Sequence, residues 1–188
     1  PRPVERVAEE PAADPDDLPR TRRLAARHAV IVATGSVPVL PDVHGLADAN
    51  PWTSREATAV EDVPESLAIV GGGVVATEMA VAFADLGARG TVLSRGGLLG
   101  RTEPWAGEAV AASLRDLGVD VRLGVSTEAV ELLPDGGARL ALAAAGPAYG
   151  GDAPALSPVT AERVLVAPGR VPRTPDLGVD GVGLAPGR

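Results

Sequence analysis

The sequence predicts an α/β protein: a Rossmann-like, mainly parallel sheet with helices on both faces and a small antiparallel β-hairpin or meander flap. Three observations predict it. Short apolar, β-branched runs alternate with longer helix-like runs from Leu67 to Leu123. A glycine-rich turn, LAIVGGGVVATEMA over 67–80, joins the first of these strands to the first helix. After Leu123 the period changes to two alternating runs around Pro134-Asp135-Gly136-Gly137.

The elements follow in order. Residues 1–20 are rich in Pro, Asp and Glu, and Glu9-Glu10 and Asp16-Asp17 read as solvated charges, so 1–27 is taken as a linker or tail. His28-Ala29-Val30-Ile31-Val32-Ala33 reads as a buried strand ending at Thr34-Gly35. Residues 36–52 carry Pro38, Pro41 and Pro51 and read as loop. Residues 53–61 read as a short helix with Thr53 or Ser54 as N-cap. A strand at Leu67–Val70 leads into a helix from about Val74 to Leu86, stopped by Gly87. Thr91–Leu93 is the next strand. Glu103–Leu117 is a helix with Pro104 in its first turn and Gly118 after its end. Val119–Leu123 is a third strand, and Ser126–Leu133 and Ala138–Ala144 form the hairpin. Residues 146–158 read as loop, with Tyr149 in it, and Arg163–Ala167 is a last buried strand closed by Pro168-Gly169. Trp52 and Trp105 sit at helix starts, where packing is the default role.

Composition narrows the function. At 45% hydrophobic and 2% aromatic, the core of this 188-residue chain is built from Val, Leu and Ala. No Lys occurs and every basic residue is Arg, a pattern of GC-rich coding. The net charge of −8 argues against a nucleic-acid or membrane surface as partner. Without Cys there is no thiolate site, and His28 and His44 lie far apart, so no metal is expected. No apolar run reaches the ~18 residues of a membrane span and no signal peptide is visible, so the setting is read as cytoplasmic. The chain starts at Pro1 and reads as an excised piece of something longer.

The turn carries the chemistry. Gly71, Gly73 and Ala76 match G-x-G-x-x-A. Gly71 turns the chain tightly out of the strand, Gly73 leaves room for a pyrophosphate, and Ala76 lets the helix pack on the sheet. The helix start at Val74 and Val75, with Gly72, offers backbone N–H groups and a partial positive charge to phosphates. An NAD site places a carboxylate about 20 residues further on, at the end of the second strand. Here, 21 residues after Gly73, stands Ser94, followed by Arg95 and Arg101 across a Gly-rich loop. Two guanidiniums can clamp a 2′-phosphate. At roughly 1.5–3 kcal/mol per charged hydrogen bond, this favours NADPH over NADH by roughly two powers of ten or more.

Three segments in fixed order, Ala33-Thr34-Gly35-Ser36-Val37-Pro38, the glycine turn through Glu78, and Ala167-Pro168-Gly169-Arg170-Val171-Pro172, resemble the flavin-dependent pyridine nucleotide–disulfide oxidoreductases. Thr91–Leu117 looks closest to the mercuric reductase branch of that family. The resemblance implies that 63–168 is an NAD(P)H-binding domain, that 28–62 includes a segment of an FAD domain and its connection, and that 169–188 starts the return to it. It implies that Thr34, Gly35 and Ser36 lie beside FAD, Gly169 beside the nicotinamide end, and Glu78 near nicotinamide and flavin. It further implies FAD in the full-length parent, the parent's FAD domain as partner, and a homodimer formed through a domain absent here. Ala76 in place of the third Gly and Arg173 in place of Asn depart from the family pattern. The family's FAD-binding glycine turn, redox Cys pair, dimerisation domain and catalytic His have no counterpart in this chain.

No residue reads as a catalytic acid, base or nucleophile. The leading reading is an NADPH-binding domain that delivers hydride to FAD and on to a disulfide or other acceptor, inactive on its own. The alternative is a stand-alone nucleotide-binding or regulatory module without catalysis. A flavin-free dehydrogenase lacks its Tyr-Lys pair here.

Overall fold

The computed structural model describes residues 5–9, 21–145, 156–175 and 177–184. Two compact units divide the chain: one holds the residues up to Val37 and from Pro172 onward, the other Pro38–Val171.

In the first unit, β1 (Glu5–Glu9) pairs antiparallel with β2 (Thr21–Ala25), from Glu5↔Ala25 to Glu9↔Thr21. These strands stand where the composition suggests a linker. The strand expected at His28–Ala33 does not form. Val30, Ile31 and Val32 are 39%, 86% and 48% exposed. Apolar β-branched residues favour extended backbone, but a strand needs a ladder partner, and no described residue pairs with this run. At its end the Thr34 hydroxyl donates to the Arg173 carbonyl at 2.6 Å, and the Arg173 amide donates to the Gly35 carbonyl at 2.9 Å. A 3-10 turn spans Val179–Val182. β3 (Ser36–Pro38) and β11 (Arg170–Pro172) form a two-stranded ribbon, within which both unit boundaries fall.

The second unit is built on four parallel strands: β4 (Ser66–Val70), β5 (Arg89–Ser94), β6 (Asp120–Leu123) and β10 (Arg163–Val166), in the order β10-β4-β5-β6. The crossovers are α2 (Val74–Asp85) between β4 and β5, and α3 (Pro104–Asp116) between β5 and β6. Both move the chain the same way across the sheet, so crossovers of one hand bring both helices to one face. Leu67, Ile69, Val92 and Leu165 pack against Ala76, Ala80, Phe83 and Leu114 there. Full burial of each large aliphatic side chain contributes about 1.5–3 kcal/mol.

The opposite face differs from expectation. Among the described residues it carries no crossover helix. Ala68, Leu93, Val164 and Val166 pack instead against an antiparallel sheet of β7 (Val125–Leu132), β8 (Ala138–Ala144) and β9 (Val159–Ala161). The chain must return from β6 at one edge to β10 at the other, and these three strands make that crossing. Both faces of the parallel sheet are therefore buried, which explains its continuous apolar strands. β9 adds a third strand to the expected hairpin. Arg122 on β6 secures the approach to β9: its Nε pairs with Asp120 at 2.8 Å and its Nη1 donates to the Ser157 carbonyl at 2.6 Å. The expected loop over 146–158, Tyr149 included, lies outside the described residues up to 155.

A single-turn helix α1 (Ser54–Ala57) is capped by Thr53 in a capping box with Glu56. Trp52 before it extends the sheet beside β10, its amide donating to Val164 O and its carbonyl accepting from Val166 N, both at 2.8 Å. Its ring lies 6.0 Å from that of Phe83. Trp105, in contrast, is 70% exposed at the start of α3 rather than packed. No helix among the described residues is long and apolar enough to cross a membrane.

Candidate functional site: a cleft at the end of the parallel sheet

The strands β4 and β5 end side by side, and the chain after each bends away from the sheet. The Gly71 amide donates to the Leu93 carbonyl at 2.9 Å, which ties the two ends together. Gly71 has φ +140°, and a Cβ built on it would lie 2.5 Å from the Ala167 carbonyl oxygen. A side chain is excluded there twice, by backbone conformation and by space. Gly72 packs equally close to Ser94, whereas a Cβ on Gly73 would meet nothing within 4 Å. Gly73 is the N-cap of α2, with no side-chain cap and no acidic residue in the first turn. The helix thus presents uncompensated N–H groups and the positive end of its dipole to open space, a setting that suits an anion.

That space is a cleft of about 750 Å³. Gly71, Gly72 and Gly73 line one side, and Ser94, Arg95 and Arg101 the next. Of the eight residues that the sequence assigns to the phosphates, these six are brought together, and Val74 and Val75 do not line the cleft. Arg95 and Arg101 are exposed, and neither guanidinium is paired with a carboxylate among the described residues. Ser94 is buried, its hydroxyl within 3.4 Å of Gly97 O and Gly96 N, so it shapes the loop between the two arginines.

The other expected site residues lie elsewhere. Val74 is 58% exposed at the start of α2, and Glu78 is exposed one turn further on. Val75 shares a small hollow of about 40 Å³ with Gly169, Pro38 and Arg170. Thr34, Gly35 and Ser36 belong to the first unit.

The far wall of the cleft was not legible in the sequence. It comes from Val125, Ser126 and Thr127 on β7 and from Pro41, Asp42 and Val43. The register of β7 against β8 shifts between Thr127 and Ala129, a bulge that leaves Glu128 outside the ladder. Val130 then donates to the His44 carbonyl at 2.8 Å, which fixes the 41–44 segment beside the cleft. Alternation alone marks a hairpin but gives no sign of which strand faces a ligand.

A parallel sheet with an anion-ready glycine turn at its carboxyl edge is the architecture that nucleotide-binding α/β proteins share. Comparison with known proteins narrows this. The sequence profile of the pyridine nucleotide-disulphide oxidoreductases matches residues 7–187, and the chain belongs to that family. It is 39% identical over 162 residues to a mercuric reductase of Shigella flexneri, covering 86% of this chain and 27% of that protein. It is 33% identical over 160 residues to a dihydrolipoyl dehydrogenase of Halobacterium salinarum, covering 83% and 31%. The HOCl-induced flavoprotein disulfide reductase RclA of Escherichia coli superimposes with a TM-score of 0.70 at 25% identity, over 87% of this chain and 35% of that one. The chain thus spans about a third or less of these relatives. It carries the fold of a flavoprotein oxidoreductase family whose members work with FAD and a pyridine nucleotide.

Proposed function

We propose that the cleft binds NADPH in preference to NADH, and that the chain is the pyridine-nucleotide domain of an FAD-dependent oxidoreductase. The observation that carries this reading is the convergence of the Gly71–Gly73 turn, Arg95 and Arg101 on one cleft, with Ser94 where an NAD site has a carboxylate. The open space over Gly73 and the uncapped start of α2 fit a pyrophosphate. The two unpaired guanidiniums fit a 2′-phosphate.

When bound, NADPH supplies a hydride for FAD, from which electrons pass to a disulfide or other acceptor. The chain's own residues bind and orient. The backbone of Gly72–Val75 holds the pyrophosphate. Val75 and Gly169, which share one hollow, border the nicotinamide end, and Glu78 stands near it. Residues 63–168 are the nucleotide domain, and 28–62 and 169–188 are the passages from and to the FAD domain, with Thr34, Gly35 and Ser36 beside the flavin. The exposed run Val30–Val32 is consistent with a strand that pairs with a sheet outside this chain. In this reading the parent is a cytoplasmic homodimer, and the chain alone catalyses nothing.

The test is a titration of NADPH and NADH against the wild-type chain and an Arg95→Ala, Arg101→Ala double variant. Loss of charged hydrogen bonds to the 2′-phosphate is expected to lower the NADPH:NADH affinity ratio by roughly two powers of ten. An unchanged ratio would overturn the NADPH preference.

A further inference from the structure

The far wall of the cleft holds an anomaly. Among the described residues, the Thr127 hydroxyl is the buried side-chain oxygen that has no hydrogen-bond partner. Buried polar groups are nearly always paired, and an exception calls for a reason. Thr127 also lines the cleft, so the face it shows there is not its hydroxyl. It stands at the bulge of β7, where the ladder is interrupted before Ala129. Bulges re-aim side chains and gather beside binding sites. Oγ1 and the methyl group share one carbon, and a turn of about 120° in χ1 carries the hydroxyl from one staggered well to the place the methyl held.

We propose that Thr127 is a base-recognition residue: its hydroxyl turns into the cleft and hydrogen-bonds the adenine of the bound dinucleotide. This rests on the reading of the cleft as a nicotinamide dinucleotide site. The order of strands assigns the part of the ligand involved. The pyrophosphate lies at the end of β4 and the 2′-phosphate at the end of β5. β6 is next in the sheet, and Gly124 alone separates it from β7. The base therefore lies beyond the ribose, on the β7 side. Adenine presents ring nitrogens that accept and an amino group that donates, and a hydroxyl can meet either.

The experiment compares the wild-type chain with Thr127→Val and Thr127→Ser by titration with NADPH and with 2′,5′-ADP, which carries the adenine half alone. Thr127→Val replaces the hydroxyl with a methyl of similar size. It is expected to weaken both ligands by the same factor, roughly 3- to 10-fold, as the loss of one hydrogen bond. Thr127→Ser is expected to keep wild-type affinity. Thermal melting of the ligand-free Val variant is expected at or above the wild-type temperature, since an unpaired hydroxyl is removed. Equal affinity of Thr127→Val and wild type would overturn the proposal, as would weakening confined to NADPH. Failure of the wild-type chain to bind either ligand would instead overturn the dinucleotide reading, and this inference with it.

Discussion

The Leu99 amide donates to the Gly72 carbonyl at 2.7 Å. This bond joins the glycine turn to the arginine loop. Leu99 adopts φ +51°, unusual for a branched side chain, and its neighbour Leu98 is buried beneath α3. The glycine turn and the loop that carries Arg95 and Arg101 are therefore one piece of backbone in mechanical terms. A change under one is felt by the other.

Gly107 tests this coupling. It lies inside α3, where Ala is ordinarily better than Gly by about 0.5–1 kcal/mol. A Cβ here, however, would overlap the Leu98 carbonyl oxygen, a backbone atom that cannot rotate away. Overpacking of this kind costs about 1–3 kcal/mol, so the clash outweighs the propensity. Gly107→Ala is expected to lower stability in urea unfolding and to weaken NADPH more than NADH, because the displaced loop carries the arginines. A variant as stable as wild type would show that α3 can move away from the loop.

Gly71 and Gly73 are expected to separate fold from function. Gly71→Ala strains the backbone and strikes the Ala167 carbonyl, so its melting temperature should fall. Gly73 has φ −87° and open space around it. Gly73→Ala should cost only about 0.5–1 kcal/mol, since Ala caps a helix less well than Gly. The new methyl stands in open space at a residue that lines the cleft, and dinucleotide affinity should fall by roughly tenfold or more, about 1.4 kcal/mol. Calorimetric melting and titration of both variants check the pair of outcomes.

Salt should act on the nucleotide preference. Arg95 and Arg101 are solvent-exposed, so their attraction for a 2′-phosphate is screened. Raising salt from about 0.1 M to about 1 M shortens the screening length from about 10 Å to about 3 Å. The NADPH:NADH affinity ratio is expected to fall several-fold over that range. A salt-independent ratio would mean that the preference comes from something other than these charges.

Much of the fold was legible from residue patterns. β4, α2, β5, α3 and β6 carry strong periodicity and clear stops, and the structure places them within a few residues of expectation. The six cleft residues on the glycine turn and the arginine loop followed from spacing alone. What the pattern misjudged depends on long-range partners. Val30–Val32 have strand-forming side chains but no ladder partner among the described residues. β1 and β2 stand in charged, proline-flanked sequence, where pairing rather than propensity defines them. β9 is three residues long, too short to show a period. The antiparallel cover on the second face depends on how the chain returns to β10. Thr127 became visible only once a bulge and a cleft surrounded it.

The capping box offers a pH test. Glu56 accepts from the Thr53 amide at 2.8 Å and the Thr53 hydroxyl at 2.6 Å. These bonds hold its carboxyl below the usual carboxylate range. A folded value below the unfolded one stabilises the chain above the unfolded pKa, and that stability is lost as pH falls through the folded value. Glu56→Gln should therefore flatten the acid limb of a stability–pH curve, by a small amount because the group is exposed. Thr53→Ala, which also removes the cap, should cost about 1 kcal/mol at neutral pH. Identical acid limbs in wild type and Glu56→Gln would refute the linkage.

The Val39 amide donates to the Gly169 carbonyl at 3.0 Å, so the unit Pro38–Val171 starts and finishes at one point. Such a unit behaves as a plug-in cassette. A host protein need only open one surface turn to accept it, since the two splice points are already adjacent. Closing Val39 to Gly169 with a short linker, and cutting the chain at the Pro134–Gly137 turn instead, would leave every strand of the parallel sheet in place. Modularity of this sort lets a unit of this shape pass between host chains with its sheet intact.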